Sequence, residues 1–169
     1  MGPIGQLGYA VLDVDRWVED FLAAGVGPWW TYRALAPDVF MYRGVSTTAR
    51  FDCAISFSGG VMLEMIAPVD DEPSPYRDFL TSGREGLQHL CYFPDDAEAA
   101  ARALLDAGHR CVVDGHTGGF AFRYFEPASA VGRAGRELVE IGRRDDATRR
   151  RHQAMIAVCA EWDGRDARR

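Results

Sequence analysis

Ile4-Gly-Gln-Leu-Gly-Tyr-Ala-Val-Leu-Asp13 recurs in the second half of the chain as Leu87-Gln-His-Leu-Cys-Tyr-Phe-Pro-Asp-Asp96. The two stretches align at a constant offset of 83 residues, which pairs Leu7 with Leu90 and Tyr9 with Tyr92. The match continues without a gap, so that Ala24-Gly25 meets Ala107-Gly108 at the end of the next segment. The chain is therefore predicted to contain a duplicated unit that begins with a strand and a helix.

Both halves carry polar residues at matching places. Gln6 aligns with His89, and each half ends in an apolar segment with one central carboxylate, Glu64 in the first half and Glu140 in the second. Taken singly, each residue has an ordinary structural explanation, but a carboxylate among neighbours as apolar as those of Glu64 needs a partner or a shifted pKa. Four oxygen or nitrogen ligands from two equivalent half-sites are what a divalent metal between two modules requires.

Length and composition predict a globular protein. The chain has 169 residues, of which 47% are apolar, enough for one compact domain or two closely paired modules. It has no run of about 18 apolar residues and no signal-peptide pattern, so we expect a cytoplasmic protein without a membrane partner. The four cysteines form no C-x-x-C motif, which favours buried thiols over disulfides or a thiolate zinc site.

The charged residues argue against two kinds of function. Net charge is −6 and the basic residues are scattered, apart from arginines near the C-terminus, which disfavours a nucleic-acid partner. All 19 basic residues are Arg, because the sequence contains no Lys. This chain therefore supplies no Schiff-base lysine and no lysine general base, and proton transfer must fall to carboxylates, His, Tyr or Cys.

The apolar pattern predicts a β-α-β-β-β order in the first half. Residues 4–12 alternate like a strand, and Asp15 is the expected N-cap of an amphipathic helix that ends at Gly25. Three further strands are predicted at 29–35, 48–57 and 61–66. Residues 68–85, which include three prolines, form the expected linker, with a short helix over 76–80.

The second half repeats this order. A strand at 87–93 leads through Asp95 or Asp96 into a helix at 97–107, followed by strands near 110–114, 119–126 and 136–142. Beyond the repeat, Asp145 is the expected cap of a terminal helix. The whole chain, 1–169, is expected to be a single domain with module 1 at about 4–67, the linker at 68–85, module 2 at about 86–142 and the C-terminal helix at about 145–162.

Two paired β-α-β-β-β modules resemble the vicinal oxygen chelate superfamily, which includes glyoxalases and bleomycin resistance proteins. The resemblance covers roughly residues 4–142. It implies an α+β fold in which the modules form a curled mixed sheet shaped like a cup, with the C-terminal helix added. Locally, Ile66-Ala-Pro68, Gly86-Leu-Gln-His89 and the linker look most like methylmalonyl-CoA epimerases.

The resemblance also implies a metal site. In that superfamily a divalent ion at the base of the cup is bound by one residue from the first and last strand of each module, and the positions that match are Gln6, Glu64, His89 and Glu140. This set resembles the ligands of glyoxalase I. The usual first ligand of methylmalonyl-CoA epimerases is His, so Gln6 is a departure that weakens affinity for softer metals. The expected cofactor is Co²⁺, Ni²⁺, Mn²⁺, Zn²⁺ or Mg²⁺.

The ligand types predict the reaction. A divalent ion can take a substrate carbonyl oxygen and a neighbouring oxygen, and so stabilise the enolate formed when the α-proton leaves. Glu140 and Glu64 flank that position and are the predicted catalytic residues, one removing the proton and the other returning it. The expected function is a metal-dependent isomerase or epimerase that acts on an acyl-CoA, a ketone or a sugar-like ketone.

Two other kinds of function remain open. Glyoxalase-type or other lyase chemistry uses the same fold, whereas extradiol dioxygenases need two His ligands and only one His occupies the four positions. The fold also supports non-catalytic proteins that bind small molecules or confer resistance. In either case, the strand edges and the apolar stripe of the terminal helix need cover, which predicts a homodimer.

Four residues are predicted to bind the substrate. Trp30 and Tyr42 belong to an aromatic group near the expected mouth of the cup, with ordinary core packing as an equal alternative. Arg50 and Ser56 share one face of the third strand with Asp52. If that face points into the cup, Arg50 can hold a carboxylate, phosphate or thioester oxygen, and if it points outward these residues lie on the surface.

Overall fold

The computed structural model describes residues 1–127 and 137–169, which form one ten-stranded mixed sheet with helices packed on it. The helices in these residues are α1 (Val14–Ala23), α2 (Pro75–Thr81), α3 (Ala97–Asp106) and α4 (Asp146–Ala160). The strands are β1 (Ile4–Ala10), β2 (Trp30–Leu35), β3 (Val39–Tyr42), β4 (Val45–Ser46), β5 (Phe51–Ser58), β6 (Val61–Pro68), β7 (Gly86–Tyr92), β8 (Arg110–Thr117), β9 (Phe120–Glu126) and β10 (Leu138–Arg144). The predicted α+β class with a curled mixed sheet is confirmed. Within the described part of the chain, no helix is both long enough and apolar enough to cross a membrane.

The duplication appears as a mirrored strand order. The strands lie in the order β2-β5-β6-β1-β7-β10-β9-β8-β3-β4. In each module the first strand lies beside the last, because β1 pairs in parallel with β6 and β7 pairs in parallel with β10. The modules join where β1 and β7 pair antiparallel. The first and last strands of both modules therefore form the centre of the sheet.

Successive side chains along each strand point to opposite faces of the sheet, so that an apolar layer forms on each face. On the outer face, Leu63 and Met65 of β6 pack with α1, while Phe125 and Ile141 pack with α3. The inner face carries a cluster rich in buried aromatic residues from both modules and from α2, namely Phe40, Tyr42, Phe51, Tyr76, Phe122 and Tyr124. The inside of the cup is therefore an aromatic layer built by both modules.

Carboxylates set the points at which three helices begin. Asp13 accepts a hydrogen bond from the backbone N–H of Arg16 and caps α1, so the expectation that Asp15 is the cap was wrong by two residues. Asp15 is instead engaged in ion pairs with Arg33 and Arg168. The caps of α3 and α4 are Asp96 and Asp145, and the prediction of Asp145 is confirmed.

The segment between β2 and β5 contains two strands that the sequence did not predict. β3 and β4 form a hairpin, and β3 lies at the far side of the second module, where it pairs antiparallel with β8. The run 39–42 is wholly apolar and lacks the alternation that indicates a strand. The strand predicted at 48–57 begins later than expected, at Phe51. At the predicted strand 136–142, residue 136 lies outside the described residues.

The C-terminal segment covers part of the surfaces for which a second subunit is predicted. Met155 and Cys159 of α4 pack against Phe57 and its buried neighbours on β5 and β6. Beyond α4, the backbone of Ala167 accepts a hydrogen bond from the N–H of Trp29, next to edge strand β2. The strand edge and the apolar stripe of the terminal helix, on which the predicted homodimer depends, are thus partly covered within the chain. The homodimer stays a prediction, and sedimentation equilibrium that finds a monomer at micromolar concentration would contradict it.

We expect His152 to make the fold sensitive to acid. This side chain is buried against the ring of Phe57, and burial, followed by the charges of Arg144 and Arg151, lowers its pKa from 6.5 to about 4. Because the folded-state pKa lies below that of the unfolded chain, the unfolded state binds more protons between these values, and stability falls as the pH decreases from 6.5 to 4. Urea unfolding across this range should show a smaller loss for His152→Gln than for the wild type. An equal loss would contradict this account.

Candidate functional site

The four predicted ligands meet on the inner face of the sheet. Glu64, Gln6, His89 and Glu140 come from the adjacent strands β6, β1, β7 and β10. The amide Nε2 of Gln6 donates to Oε2 of Glu64 over 2.6 Å and lies 3.2 Å from Nε2 of His89. Nε2 of His89 lies 3.2 Å from Oε2 of Glu140 and 3.8 Å from Oε2 of Glu64. The mirrored strand order thus places the four side chains in one cluster.

Gly8 makes room for this convergence. It pairs with Glu64 on one neighbouring strand and with His89 on the other. A Cβ atom at this position would overlap the imidazole ring of His89. Gly8 is not among the residues predicted for the site, although a glycine inside a strand is a known sign that another group approaches the backbone closely.

Gln88 fixes the orientation of the His89 ring. Nδ1 of His89 lies 2.7 Å from Oε1 of Gln88, and the Gln88 amide donates in turn to the carbonyl oxygen of Pro75 over 3.5 Å. Since an amide oxygen only accepts hydrogen bonds, the proton belongs on Nδ1. The lone pair of Nε2 then faces Gln6, Glu64 and Glu140, which is the tautomer that a metal-binding histidine needs. Gln88 is not among the predicted site residues either, because its role follows only from its contact with Pro75 of α2.

Several oxygen atoms of the cluster lack a hydrogen-bond partner. Gln6 and Glu140 are each 1% exposed, and His89 is fully buried. Among the described residues, Oε1 of Gln6 and both carboxyl oxygens of Glu140 have no partner. Burying a carboxylate without compensation is strongly unfavourable. Nε2 of His89 lies only 3.2 Å from Oε2 of Glu140 without a hydrogen bond between them, so a cation placed beside these two atoms would stabilise both.

The donor set fits a divalent metal ion. Two ligand atoms at right angles around an ion, each about 2.1 Å from it, lie about 3 Å apart. The distances from Nε2 of His89 to the carboxyl oxygens of Glu140 and Glu64, 3.2 and 3.8 Å, are close to that value. Gln6 would present its amide oxygen, which is now without a partner. In residues 1–127 and 137–169, no group of three or more His, Cys, Asp or Glu side chains is already arranged around a metal position, so the Gln6 oxygen is a necessary member of the set.

Glu64 differs from Glu140 in its access to the inside of the cup. It keeps 21% of its side-chain surface exposed, against 1% for Glu140. Burial nevertheless raises the pKa of Glu64 to about 7, because dense surroundings disfavour the charged form, while His89 lowers this pKa and the charge of Glu140 raises it. A carboxyl group with a pKa near neutrality can both accept and return a proton at physiological pH.

A cavity of about 60 Å³ opens above Glu64. Its walls are mostly apolar and aromatic, and they are formed by Leu35, Pro37, Phe40, Phe51, Cys53, Ile66, Tyr76, Thr117, Phe120, Phe122 and Tyr124. The half-buried residues of this set, Leu35, Pro37, Thr117 and Phe120, mark the mouth, whereas Tyr76, Tyr124 and Cys53 are buried at depth. The enclosed space holds a few non-hydrogen atoms, so only the reacting end of a substrate fits inside.

The structure does not bring the predicted substrate-binding residues to this cavity. Phe51 and Cys53 line it, so Ser56 lies on the opposite face of β5, where its Oγ is 3.7 Å from Sγ of Cys159. Arg50 precedes β5 and pairs with Asp70 at the surface. Of the two orientations that the sequence leaves open for this face, the structure shows the one that points away from the cavity, with Arg50 at the surface and Ser56 buried beside Cys159.

The two aromatic residues of that prediction also lie outside the cavity wall. Trp30 packs with the residues beneath α4, among them Ile55 and Met155. Tyr42 is buried in the inner cluster, and its hydroxyl donates to Asp78 over 2.6 Å. Trp30 and Tyr42 therefore pack in the apolar core, which is the alternative that the sequence leaves open for them.

The family model of the glyoxalase/bleomycin resistance protein/dioxygenase superfamily matches residues 5–125, well over half of the chain. The chain belongs to this superfamily. No functionally curated protein matches the sequence at a significant level. The match confirms the resemblance inferred from the duplicated strand and helix.

Solved structures of the superfamily fold are similar over nearly their whole length. A hypothetical protein from Bacillus halodurans C-125 is 15% identical with a TM-score of 0.61, covering 85% of this chain and 95% of its own. A variant of Streptomyces coelicolor methylmalonyl-CoA epimerase bound to 2-nitronate-propionyl-CoA is 21% identical, with a TM-score of 0.60 and coverages of 86% and 96%. The Mycobacterium tuberculosis methylmalonyl-CoA epimerase is 20% identical, with a TM-score of 0.56 and coverages of 87% and 91%. At these identities the likeness establishes the fold.

We predict that a divalent ion binds to the cluster of Gln6, Glu64, His89 and Glu140 and stabilises the folded chain. Binding to the native state alone adds about 2.7 kcal/mol when the free ion is at 100 times its dissociation constant. Co²⁺ or Zn²⁺ should therefore raise the melting temperature of the wild type, and mass spectrometry should find one ion per chain. His89→Ala and Glu64→Ala should lose both effects.

His116→Ala is the matched control for this measurement. His116 is exposed and pairs with Asp38, away from the cluster, so its replacement should leave ion content and thermal shift unchanged. Unaltered stoichiometry in both His89→Ala and Glu64→Ala would rule out the site.

Proposed function

We propose that the chain is a divalent-metal-dependent isomerase or epimerase that moves a proton at the carbon beside a carbonyl group. The observation that carries this proposal is the pairing of a buried set of metal-type donors with a second, accessible carboxyl group. Glu140 and His89 are sealed beneath the cavity, whereas Glu64 reaches its floor. A site that only held an ion would not need the second carboxyl group to open into a cavity.

Glu64 is the group that exchanges the proton in this proposal. Its carboxyl group lies at the cavity floor, where one oxygen can take a proton from the α-carbon and give it back. Gln6 orients its carboxylate through the 2.6 Å hydrogen bond from the amide. The aromatic side chains that form the cavity wall above Glu64 exclude water, which slows loss of the proton to solvent.

Glu140 and His89 have a supporting role on the other side of the cluster. An ion held by these residues with Gln6 and Glu64 would act as a Lewis acid that stabilises negative charge on a substrate oxygen. The full burial of Glu140 keeps one negative charge close to His89 and lets the cluster bind a divalent cation tightly. The sequence analysis gave Glu140 a catalytic role beside Glu64, and that role remains part of the proposal as the second of two possible bases.

The substrate is proposed to be a small carbonyl compound, either free or as an acyl-CoA thioester. Solved epimerases of this fold carry methylmalonyl-CoA or 2-nitronate-propionyl-CoA, which supports an acyl-CoA as the first class to examine. The small volume of the cavity supports a short acyl or ketone end, with the remainder of the molecule outside the mouth. α-Hydroxyketones form the second class, because they offer two adjacent oxygens to the ion.

We predict that Glu64→Gln at full metal occupancy loses about 10²- to 10⁴-fold in α-proton exchange, because an amide can still coordinate but cannot accept the proton. Proton NMR in D₂O of short-chain acyl-CoA thioesters and α-hydroxyketones measures this exchange. The exposed carboxylate of Glu72 supplies the control, since Glu72→Gln leaves the cluster intact.

Glu140→Gln decides between one base and two. In a two-base epimerase this variant should still exchange the α-proton of one enantiomer but not of the other, whereas in a one-base reaction both enantiomers lose rate alike. A loss below tenfold in Glu64→Gln, with the ion still bound, would refute the role of Glu64. Tight binding of carbonyl compounds without any exchange would instead favour the non-catalytic binding protein.

A further inference from the structure

Two tyrosine hydroxyls meet at the bottom of the cavity. The oxygen atoms of Tyr76, on α2, and Tyr124, on β9, lie 2.7 Å apart. Both side chains line the cavity together with Glu64, and both are buried, with 4% and 2% of their surface exposed. They come from the linker and from the second module, so the fold brings them together from distant parts of the sequence.

One proton of this pair is left without an acceptor. Two phenol groups carry two O–H protons, and the hydrogen bond between them uses one. In residues 1–127 and 137–169, neither hydroxyl has another hydrogen-bond partner. Phenol groups ordinarily keep their protons at neutral pH. The pair therefore presents a free O–H donor in the space beside Glu64.

Packing holds the two rings in place. Tyr124 lies against the imidazole of His89, with ring centroids 4.8 Å apart, and Phe122 packs beside it at 5.8 Å. Tyr76 makes an edge-to-face contact with Phe51 at 5.0 Å. A donor fixed in this way needs little reorganisation when charge develops on an oxygen nearby.

We propose that the Tyr76–Tyr124 hydroxyl pair donates a hydrogen bond to the carbonyl oxygen of the substrate, and that the cavity accepts an uncharged carbonyl end. This inference rests on the proposed function and adds to the ion a second group, a hydrogen-bond donor, that contacts the reacting oxygen. No O–H bond breaks in this step, because the pair stays protonated. Negative charge that moves from the α-carbon onto the oxygen strengthens the hydrogen bond from the tyrosine. The hydrogen bond between the two hydroxyls polarises the donating O–H group and so strengthens this contact further.

The residues around the pair favour a neutral ligand. The lining residues include no Arg or Lys, and Glu64 is the carboxyl group among them. The carboxyl groups of Glu64 and Glu140 already balance the charge of a divalent ion in the cluster, so a carboxylate on the inserted end would meet aromatic walls with no Arg in the described lining to pair with it. A neutral carbonyl needs only the one donor that the pair offers.

The test uses acetophenone labelled with ¹³C at the carbonyl, a neutral ketone with exchangeable methyl protons. Infrared spectroscopy of the complex should show the carbonyl band at lower wavenumber in the wild type than in the double variant Tyr76→Phe and Tyr124→Phe. The double variant should also bind about fivefold more weakly, the loss expected for one hydrogen bond.

Tyr9→Phe is the control, because Tyr9 packs against Trp17 and Phe21 on the outer face of the sheet, and it should match the wild type. The same band position in wild type and double variant would overturn the proposal, as would the absence of saturable binding to the wild type.

A second measurement on the wild type alone guards against misfolding of the variant. If the carbonyl oxygen accepts a hydrogen bond, 4-methoxyacetophenone should bind more tightly than 4-nitroacetophenone, because the electron-donating group makes that oxygen the better acceptor. The opposite order would contradict the role of the pair. Exchange of the methyl protons with D₂O reports separately on proton transfer, so a shifted carbonyl band without exchange would retain the tyrosine inference and count against the proposed function.

Discussion

The burial of Glu140 beside His89 is the constraint on which the rest of the site depends. A carboxyl group that is 1% exposed, with both oxygens lacking hydrogen-bond partners in the described residues, is unfavourable unless a positive charge compensates it. Gln88 places the proton of His89 on Nδ1, which turns the lone pair of Nε2 toward the same point. The fold thus concentrates acceptor atoms where a cation stabilises them, and the hydrogen bonds of Gln6 link this group to Glu64 at the cavity floor.

The duplicated architecture explains why such a cluster can form. Parallel pairing of the first and last strand in each module, and antiparallel pairing between modules, places four equivalent strands side by side at the centre of the sheet. Each central strand contributes one side chain to the cluster of candidate ligands. Gly8, which lies between Glu64 and His89 in the register, removes the Cβ atom that would keep the side chains apart. Stability and chemistry therefore depend on the same strand register.

Much of this arrangement could be predicted from the sequence, because the repeat offset pairs Gln6 with His89 and carboxylates in apolar strands indicate the other two members. The rest depends on information that local patterns lack. The inward face of β5 could not be assigned from alternation alone, since either face is possible until the neighbouring strands fix it, and the structure places Phe51 and Cys53 inside rather than Arg50 and Ser56. Tyr76 and Gln88 gain their contacts only when α2 packs over the cup. The hairpin of β3 and β4 pairs with a strand about 70 residues away, and short-range periodicity carries no signal for such a partner.

Anomalous diffraction from crystals of the Co²⁺-loaded protein tests the central claim most directly. Data collected on both sides of the cobalt absorption edge locate the ion without assumptions about its ligands. The account predicts a single strong peak per chain, within about 2.3 Å of donor atoms from Gln6, Glu64, His89 and Glu140. A peak at another place, or none between these residues when one ion per chain is bound in solution, would contradict it.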